Sequence, residues 1–229
     1  MSNYLGLPAL SVFASDIDTL ILVILVLVGF WFVLAEAVFF GLIFKFKAKE
    51  GQKAMHITGD EKEYKRFISL AHNLVLLCDI FIVMGSFKVW NEVKIELPEA
   101  DREIRVIGQQ WSWTFQHPGA DNKLDTADDV FLVDELHIEV NKNYHFKLTS
   151  KDVLHSFSVP VFRLKQDAIP GRTITGWFNA TGTGEHDIQC AEMCGIGHGI
   201  MGARIFIEDA ATHNAWIAQN NSFAALRAE

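Results

Sequence analysis

The run Cys190-Ala191-Glu192-Met193-Cys194-Gly195-Ile196-Gly197-His198-Gly199-Ile200-Met201 places two thiols, an imidazole and a thioether within twelve residues. Glycines 195, 197 and 199 let such a loop fold tightly around something small. Soft sulfur beside imidazole suits copper, zinc or an iron–sulfur cluster. The methionine narrows the choice toward copper, because structural zinc closes its site with Cys and His. A mononuclear blue-copper loop needs one cysteine. With two, the loop could bridge a pair of copper ions through both sulfurs, provided that a second histidine arrives from elsewhere. The competing reading is a Cys190–Cys194 disulfide in an oxidising compartment, with His198 and Met201 as ordinary loop residues.

The second histidine has a candidate upstream, in Asp152-Val153-Leu154-His155-Ser156-Phe157-Ser158-Val159-Pro160, which is followed by Asp167-Ala168-Ile169-Pro170-Gly171-Arg172. An aromatic box, Gln110-Trp111-Ser112-Trp113, lies further back. Together with an apolar hairpin ahead of them, these stretches cover nearly the whole chain, and it resembles cytochrome c oxidase subunit II. In that family the subunit carries the dinuclear CuA centre. Carried over by position, the resemblance implies copper ligands at His155, Cys190, Cys194, His198 and Met201, and at the backbone carbonyl of Glu192. It further implies that both thiolates bridge the coppers, that each copper takes one histidine, and that Met201 and the carbonyl are weak axial ligands.

Other residues gain family roles in the same way. Trp111 would receive the electron from a docked cytochrome c. The Glu192 side chain would reach a magnesium or manganese ion shared with subunit I, for which a carboxylate is a proper hard ligand. Trp111 and Trp113 fall two apart on an expected strand and should project to one face, with Trp113 as packing. The box departs from the common form at Gln109, where His is frequent, and at Ser112, where Tyr is frequent. Lys151 stands where an acid is frequent, which bears on donor docking.

Toward the N-terminus, residues 1–17 contain no Lys or Arg, so no basic leader region is read there. Residues 18–44 and 67–90 are apolar enough to cross a bilayer as helices. Glu36 in the first would be costly against lipid and should face a protein partner or lie toward the membrane surface, while His72, Asp79 and Lys88 in the second should pack against another membrane subunit or pair within the hairpin. The loop at 45–66 holds seven basic residues against four acidic ones. The positive-inside rule then puts that loop in the cytoplasm and both termini in the periplasm, or on the equivalent outer side of an energy-transducing membrane. The expected division is a transmembrane hairpin over 1–90 and a periplasmic domain over 91–229.

From Asn91 onward, short β-rich runs are broken by Gly, Pro, Asn and Asp. Strands are expected at 103–108, 112–116, 130–133, 136–140, 144–149, 156–159, 173–179, 185–189 and 203–208, with a closing helix over 212–227. The spacing suggests an all-β Greek-key sandwich or barrel. The resemblance sharpens this to a cupredoxin-like domain with the metal loop between the last two core strands. The domain carries twenty acidic side chains against twelve basic ones. Such a surface excludes nucleic acid and would steer a basic donor, with Asp134, Asp152 and Asp167 as docking candidates. The acidic stretch 119–129 lacks EF-hand spacing and reads as a solvated loop. Cys78 reads as packing within its span. Neither Glu61 nor Glu63 can be matched to the family's proton-pathway glutamate.

The expectation is an electron-receiving subunit of a haem–copper terminal oxidase, aa3-type or related. A separate cytochrome c reduces it, since no Cys-x-x-Cys-His occurs. Electrons pass on to haem in subunit I, where oxygen is reduced to water and protons are pumped. A quinol oxidase subunit would lack the copper ligands. A membrane-anchored copper-delivery protein would not need Met201, the aromatic box or two spans. Subunit II of a CuA-type nitric oxide reductase stays open as an alternative.

Overall fold

The computed structural model describes residues 6–53 and 56–227, with the side chains of Glu63 and of residues 221–227 outside the description. The chain forms two compact units. One is residues 16–90; the other joins the N-terminal segment up to Ser15 with residues 91–229.

The first unit is a pair of helices, α1 (Ala14–Lys45) and α2 (Lys62–Trp90). Each starts a few residues before its expected span, because the flanking polar residues supply the first turn. Asp16 sits in the first turn of α1, where a carboxylate suits the exposed N–H groups. Ahead of α2, the Glu61 carboxylate accepts from the backbone N–H of Thr58 (3.1 Å) and of Gly59 (3.0 Å), so that glutamate is engaged in shaping the turn. At 32 residues, α1 is about 48 Å long, ample for a hydrocarbon core of about 30 Å. Large apolar side chains stand outward on both helices, among them Phe32, Phe67 and Met84. Cys78 is half-buried and accepts from the Trp31 indole at 3.5 Å, a contact between the two helices. His72, Asp79 and Lys88 are exposed on α2.

The second unit is a two-sheet sandwich of ten strands: β1 (Arg102–Gln109), β2 (Ser112–His117), β3 (Val130–Val133), β4 (Glu135–Glu139), β5 (Asn143–Ser150), β6 (His155–Val159), β7 (Leu164–Ala168), β8 (Ile174–Asn179), β9 (Gly184–Cys190) and β10 (Gly202–Glu208). The sheets run β3-β2-β1-β5-β8 and β4-β10-β9-β6-β7. Among the described strands the β1/β5 and β4/β10 ladders are parallel and the remaining ladders are antiparallel. This is the cupredoxin-like Greek-key arrangement expected.

Alternation fixes the inner faces. On β5, Tyr144, Phe146 and Leu148 point inward, in register with Ile104 and Val106 of β1. Fully buried Phe157 of the facing sheet meets the rings of Trp113, Phe115 and Phe146 edge-on, at centroid distances of 5.7, 6.2 and 5.7 Å. The strand absent from the sequence reading is β7, an edge strand whose Leu-Lys-Gln-Asp-Ala composition offers little apolar signal.

Two segments close the sandwich. The N-terminal stretch lies along it, with Leu10 N–H donating to Val161 O (2.8 Å) and Thr181 N–H to Leu10 O (2.9 Å). Helix α3 (Ala210–Arg227) is capped by Asp209, which accepts from Thr212 N–H at 2.9 Å. Trp216 of α3 stacks on His137 at 4.4 Å, and His137 stacks on Phe206 at 4.6 Å. In the 119–129 loop the carboxylates are bound internally: Asp125 pairs with Arg105 through both oxygens (2.7 and 2.9 Å), and Asp128 accepts from the Thr126 hydroxyl at 2.6 Å.

Candidate metal centre

The sandwich delivers the soft ligands from two loops at one end. His155 opens β6, directly after the Asp152–Leu154 turn, while the Cys190–Met201 loop leaves β9 and returns as β10. A backbone bond from Cys190 N–H to Met201 O (3.1 Å) ties the two ends of that loop together. The β6/β9 pairing sets Phe157 opposite Cys190, which brings the two segments side by side.

Within this frame, one ligand atom from each of His155, Cys190 and Cys194 lies within 4.8 Å of the others. The two thiols are free, with their sulfurs 3.7 Å apart, far beyond the roughly 2 Å of a disulfide. His155 Nδ1 stands 3.9 Å from Cys190 Sγ, and His198 Nδ1 stands 3.7 Å from Cys194 Sγ. Met201 Sδ is 3.7 Å from Cys194 Sγ, and the Glu192 carbonyl oxygen is 3.3 Å from Cys190 Sγ. All six positions singled out in the sequence therefore meet at one place. Burial, reinforced by the neighbouring Cys190 thiol, pushes the Cys194 thiol up to about 11. A metal ion bound there would have to displace that proton. Two sulfurs, two imidazoles and a thioether in a buried cluster form a donor set that fits copper.

His155 is completely buried. A Cβ on Gly108 would come within 3.1 Å of both its Cδ2 and the Trp113 ring, so any larger residue there would press the imidazole or the indole aside by a few tenths of an ångström. Trp113 meets the imidazole edge-on at 6.0 Å and belongs to the core. Trp111 behaves differently. It occupies the tight turn between β1 and β2, not a strand, so the expected sharing of one face by the two indoles does not hold. The Gln110–Trp111 peptide bond is cis. The Trp111 indole donates to the Cys194 carbonyl at 3.3 Å, the Gln110 side-chain amide donates to the same oxygen at 2.8 Å, and the ring lies over Gly197.

Two of the docking candidates are occupied elsewhere. Asp134 accepts from Trp113 N–H at 2.7 Å, and burial raises its carboxyl above the usual range. Asp152 holds His155 and the backbone of Gln110. The sequence reading missed Gln110 and the internal role of Asp152, although both lie within the stretches it quoted.

Residues 102–209 match the family model described as the periplasmic domain of cytochrome c oxidase subunit II. The chain is 31% identical over 206 residues to an alternative cytochrome c oxidase subunit 2 of Bradyrhizobium diazoefficiens, covering 80% of this chain and 73% of that one. It belongs to the cytochrome c oxidase subunit II family.

Another subunit 2, from Cereibacter sphaeroides, is 31% identical over 173 residues, 61% of this chain and 56% of its own length. Among solved structures, the periplasmic domain of subunit II of cytochrome oxidase (CoxB) of Bradyrhizobium japonicum shares 32% identity, covering 56% of this chain and 99% of that one, with a TM-score of 0.48. As a subunit II, the chain is a membrane-anchored component of an oxidoreductase complex, with two apolar helices ahead of its β domain.

Proposed function

We propose that this subunit receives electrons for a terminal oxidase at a dinuclear copper centre held by His155, Cys190, Cys194, His198, Met201 and the carbonyl of Glu192. The observation that carries the reading is the convergence of two free, buried thiols with two imidazoles and a thioether at 3.7–3.9 Å. When bound, the copper pair supplies one-electron uptake and release with little rearrangement. The protein's part is to hold the ligands still. Both ends of the loop are fixed by the β9/β10 ladder, and His155 is clamped between Gly108, Trp113 and Cys190.

Trp111 is the proposed arrival point for electrons from a cytochrome c. It is 37% exposed on one side and hydrogen-bonded to the Cys194 carbonyl on the other. Copper held by these residues would supply the relay to haem in subunit I, where oxygen would be reduced to water in a proton-translocating complex. The half-buried Glu192 offers its carboxylate for a magnesium or manganese ion shared with that subunit. The basic loop between the helices supports a topology with both termini and the β domain in the periplasm of a bacterial inner membrane, or on the equivalent outer side.

Copper analysis and electron paramagnetic resonance of the full chain in detergent test the reading. Two tightly held ions per chain, with one unpaired electron shared by two nuclei, are expected. A single-copper spectrum, or one exchangeable ion as in a delivery protein, refutes it.

A further inference from the structure

We propose that Asp152 is a positioning residue for the metal centre: one carboxylate orients His155 and fixes the turn that seats Trp111 on the ligand loop. The proposal rests on the copper reading above and extends it to residues outside the ligand set.

The geometry is specific. Asp152 Oδ1 lies 2.8 Å from His155 Nε2, and Oδ2 accepts from Gln110 N–H at 2.7 Å. Oδ1 also accepts from Val153 N–H at 2.7 Å. The aspartate is steadied in turn by Ser150, whose hydroxyl oxygen accepts from Asp152 N–H at 3.3 Å.

A carboxylate can only accept, so His155 Nε2 carries the hydrogen and Nδ1 presents its lone pair toward Cys190. Such a partner fixes the tautomer and ring plane of a metal-binding histidine and strengthens it as a ligand. Among the described residues His198 has no carboxylate partner, so the two imidazoles are held differently.

The second oxygen extends the effect. Gln110 carries its backbone N–H to Asp152 and its side-chain amide to the Cys194 carbonyl, the acceptor shared with the Trp111 indole. Asp152 thus joins His155, the β1–β2 turn and the ligand loop in one hydrogen-bonded unit. A carboxylate serving only to attract a donor would have no reason to be spent in this way; here both oxygens are taken, and only 27% of the side-chain surface is exposed.

The test uses the full chain in detergent, loaded with copper and without any donor protein. The readout is exchange with solvent of the paramagnetically shifted ring N–H protons of the two ligand histidines. In wild type the His155 proton should exchange at least about tenfold more slowly than that of His198, since it is held in a charge-assisted hydrogen bond. Asp152→Ala should abolish the difference and raise the free copper needed for half-loading by about 10–100-fold.

Asp152→Asn separates the two arms. Its amide oxygen can still accept from His155, but its NH2 meets the Gln110 N–H donor to donor. Slow exchange should therefore survive, while the indole N–H resonance of Trp111 shifts. Rescue of the His155 proton by Asn but not by Ala supports the proposal. If both variants load copper like wild type, with both ring protons unchanged, the proposal is overturned while the copper reading stands. If wild type itself holds no copper pair, the copper reading fails first, and the proposal with it.

Discussion

A single methyl group at position 197 is expected to lift Trp111 off the ligand loop. A Cβ built on Gly197 falls 2.4 Å from Cδ2 of the indole, 2.5 Å from Cγ and 2.8 Å from Cε3. Ordinary contact begins at 3.4 Å, so the ring must retreat by about 1 Å. The backbone there (φ −89°, ψ 9°) suits an alanine, so the whole conflict is with the indole. The loop cannot yield easily, because Cys190 N–H and His198 N–H are bonded across it to Met201 O and Gly195 O, both at 3.1 Å.

The indole, 37% exposed, swings outward instead, and its 3.3 Å hydrogen bond to Cys194 O breaks. The lost bond costs about 1 kcal/mol. Removing glycine from the unfolded chain returns about 0.4–1 kcal/mol. Thermal stability of Gly197→Ala should therefore change by no more than a few degrees. Reduction of the assembled oxidase by cytochrome c, followed by stopped flow, should slow by about 10–100-fold, the scale on which a 1 Å misplacement penalises an oriented reaction. Gly199→Ala is the control, since nothing lies within 4 Å of its Cβ. A Gly197→Ala oxidase that is reduced at the wild-type rate with its indole displaced would remove Trp111 from the electron path.

Cys190→Ser or Cys194→Ser should abolish the paired-copper spectrum, leaving one ion or none by metal analysis; retention of two coupled ions would refute bridging by both sulfurs. His117 is fully buried, and desolvation, aided by nearby His137 and His213, depresses its pKa to about 3 from 6.5. Between those values the unfolded chain binds the proton and the native chain does not, so this contribution is complete above pH 6.5 and is lost as pH falls. By pH 4.5 the loss is about 3 kcal/mol, measurable as a lower denaturant midpoint that His117→Gln should largely flatten; an unchanged pH slope in that variant would refute it. Asp134 combines a left-handed backbone (φ 59°) with its bond to Trp113 N–H. Asp134→Ala should cost about 2–3 kcal/mol in denaturant unfolding, and Asp134→Asn, which keeps an acceptor and tolerates that backbone, clearly less. A loss of donor affinity with stability intact would return Asp134 to the docking surface.

The extent to which the fold was legible follows from the period of the signals. β5 alternates strictly, buried at every second residue, so Tyr144, Phe146 and Leu148 announce their face without any partner in view. The spans announce themselves by length. Edge strand β7 has polar residues at its centre and owes its existence to pairing with β6, from His155↔Ala168 to Val159↔Leu164, which no local window contains. Trp111 shows the same limit in sharper form. Spacing of two from Trp113 predicts a shared face only if both lie on a strand, and the chain turns before Ser112.

The proposed donor set was suggested by residue type and by the family resemblance together: few side chains offer soft donors, and five that can bind copper meet here. The groups that hold the ligands were not, because a carboxylate is read from sequence as charge, whereas its role depends on which N–H it reaches. Asp152 reaches Gln110, 42 residues away, and Asp134 reaches Trp113, 21 away. Counting acids over the domain therefore gives its charge but not which carboxylates are free to meet a donor. What that loop presents to solvent is apolar: Met193, Ile196 and Ile200 are 72%, 96% and 85% exposed, next to Trp111. A donor approaching the proposed arrival point meets hydrocarbon first, so long-range charge can set the rate of encounter while the seating at Trp111 depends on contacts that salt leaves largely unscreened.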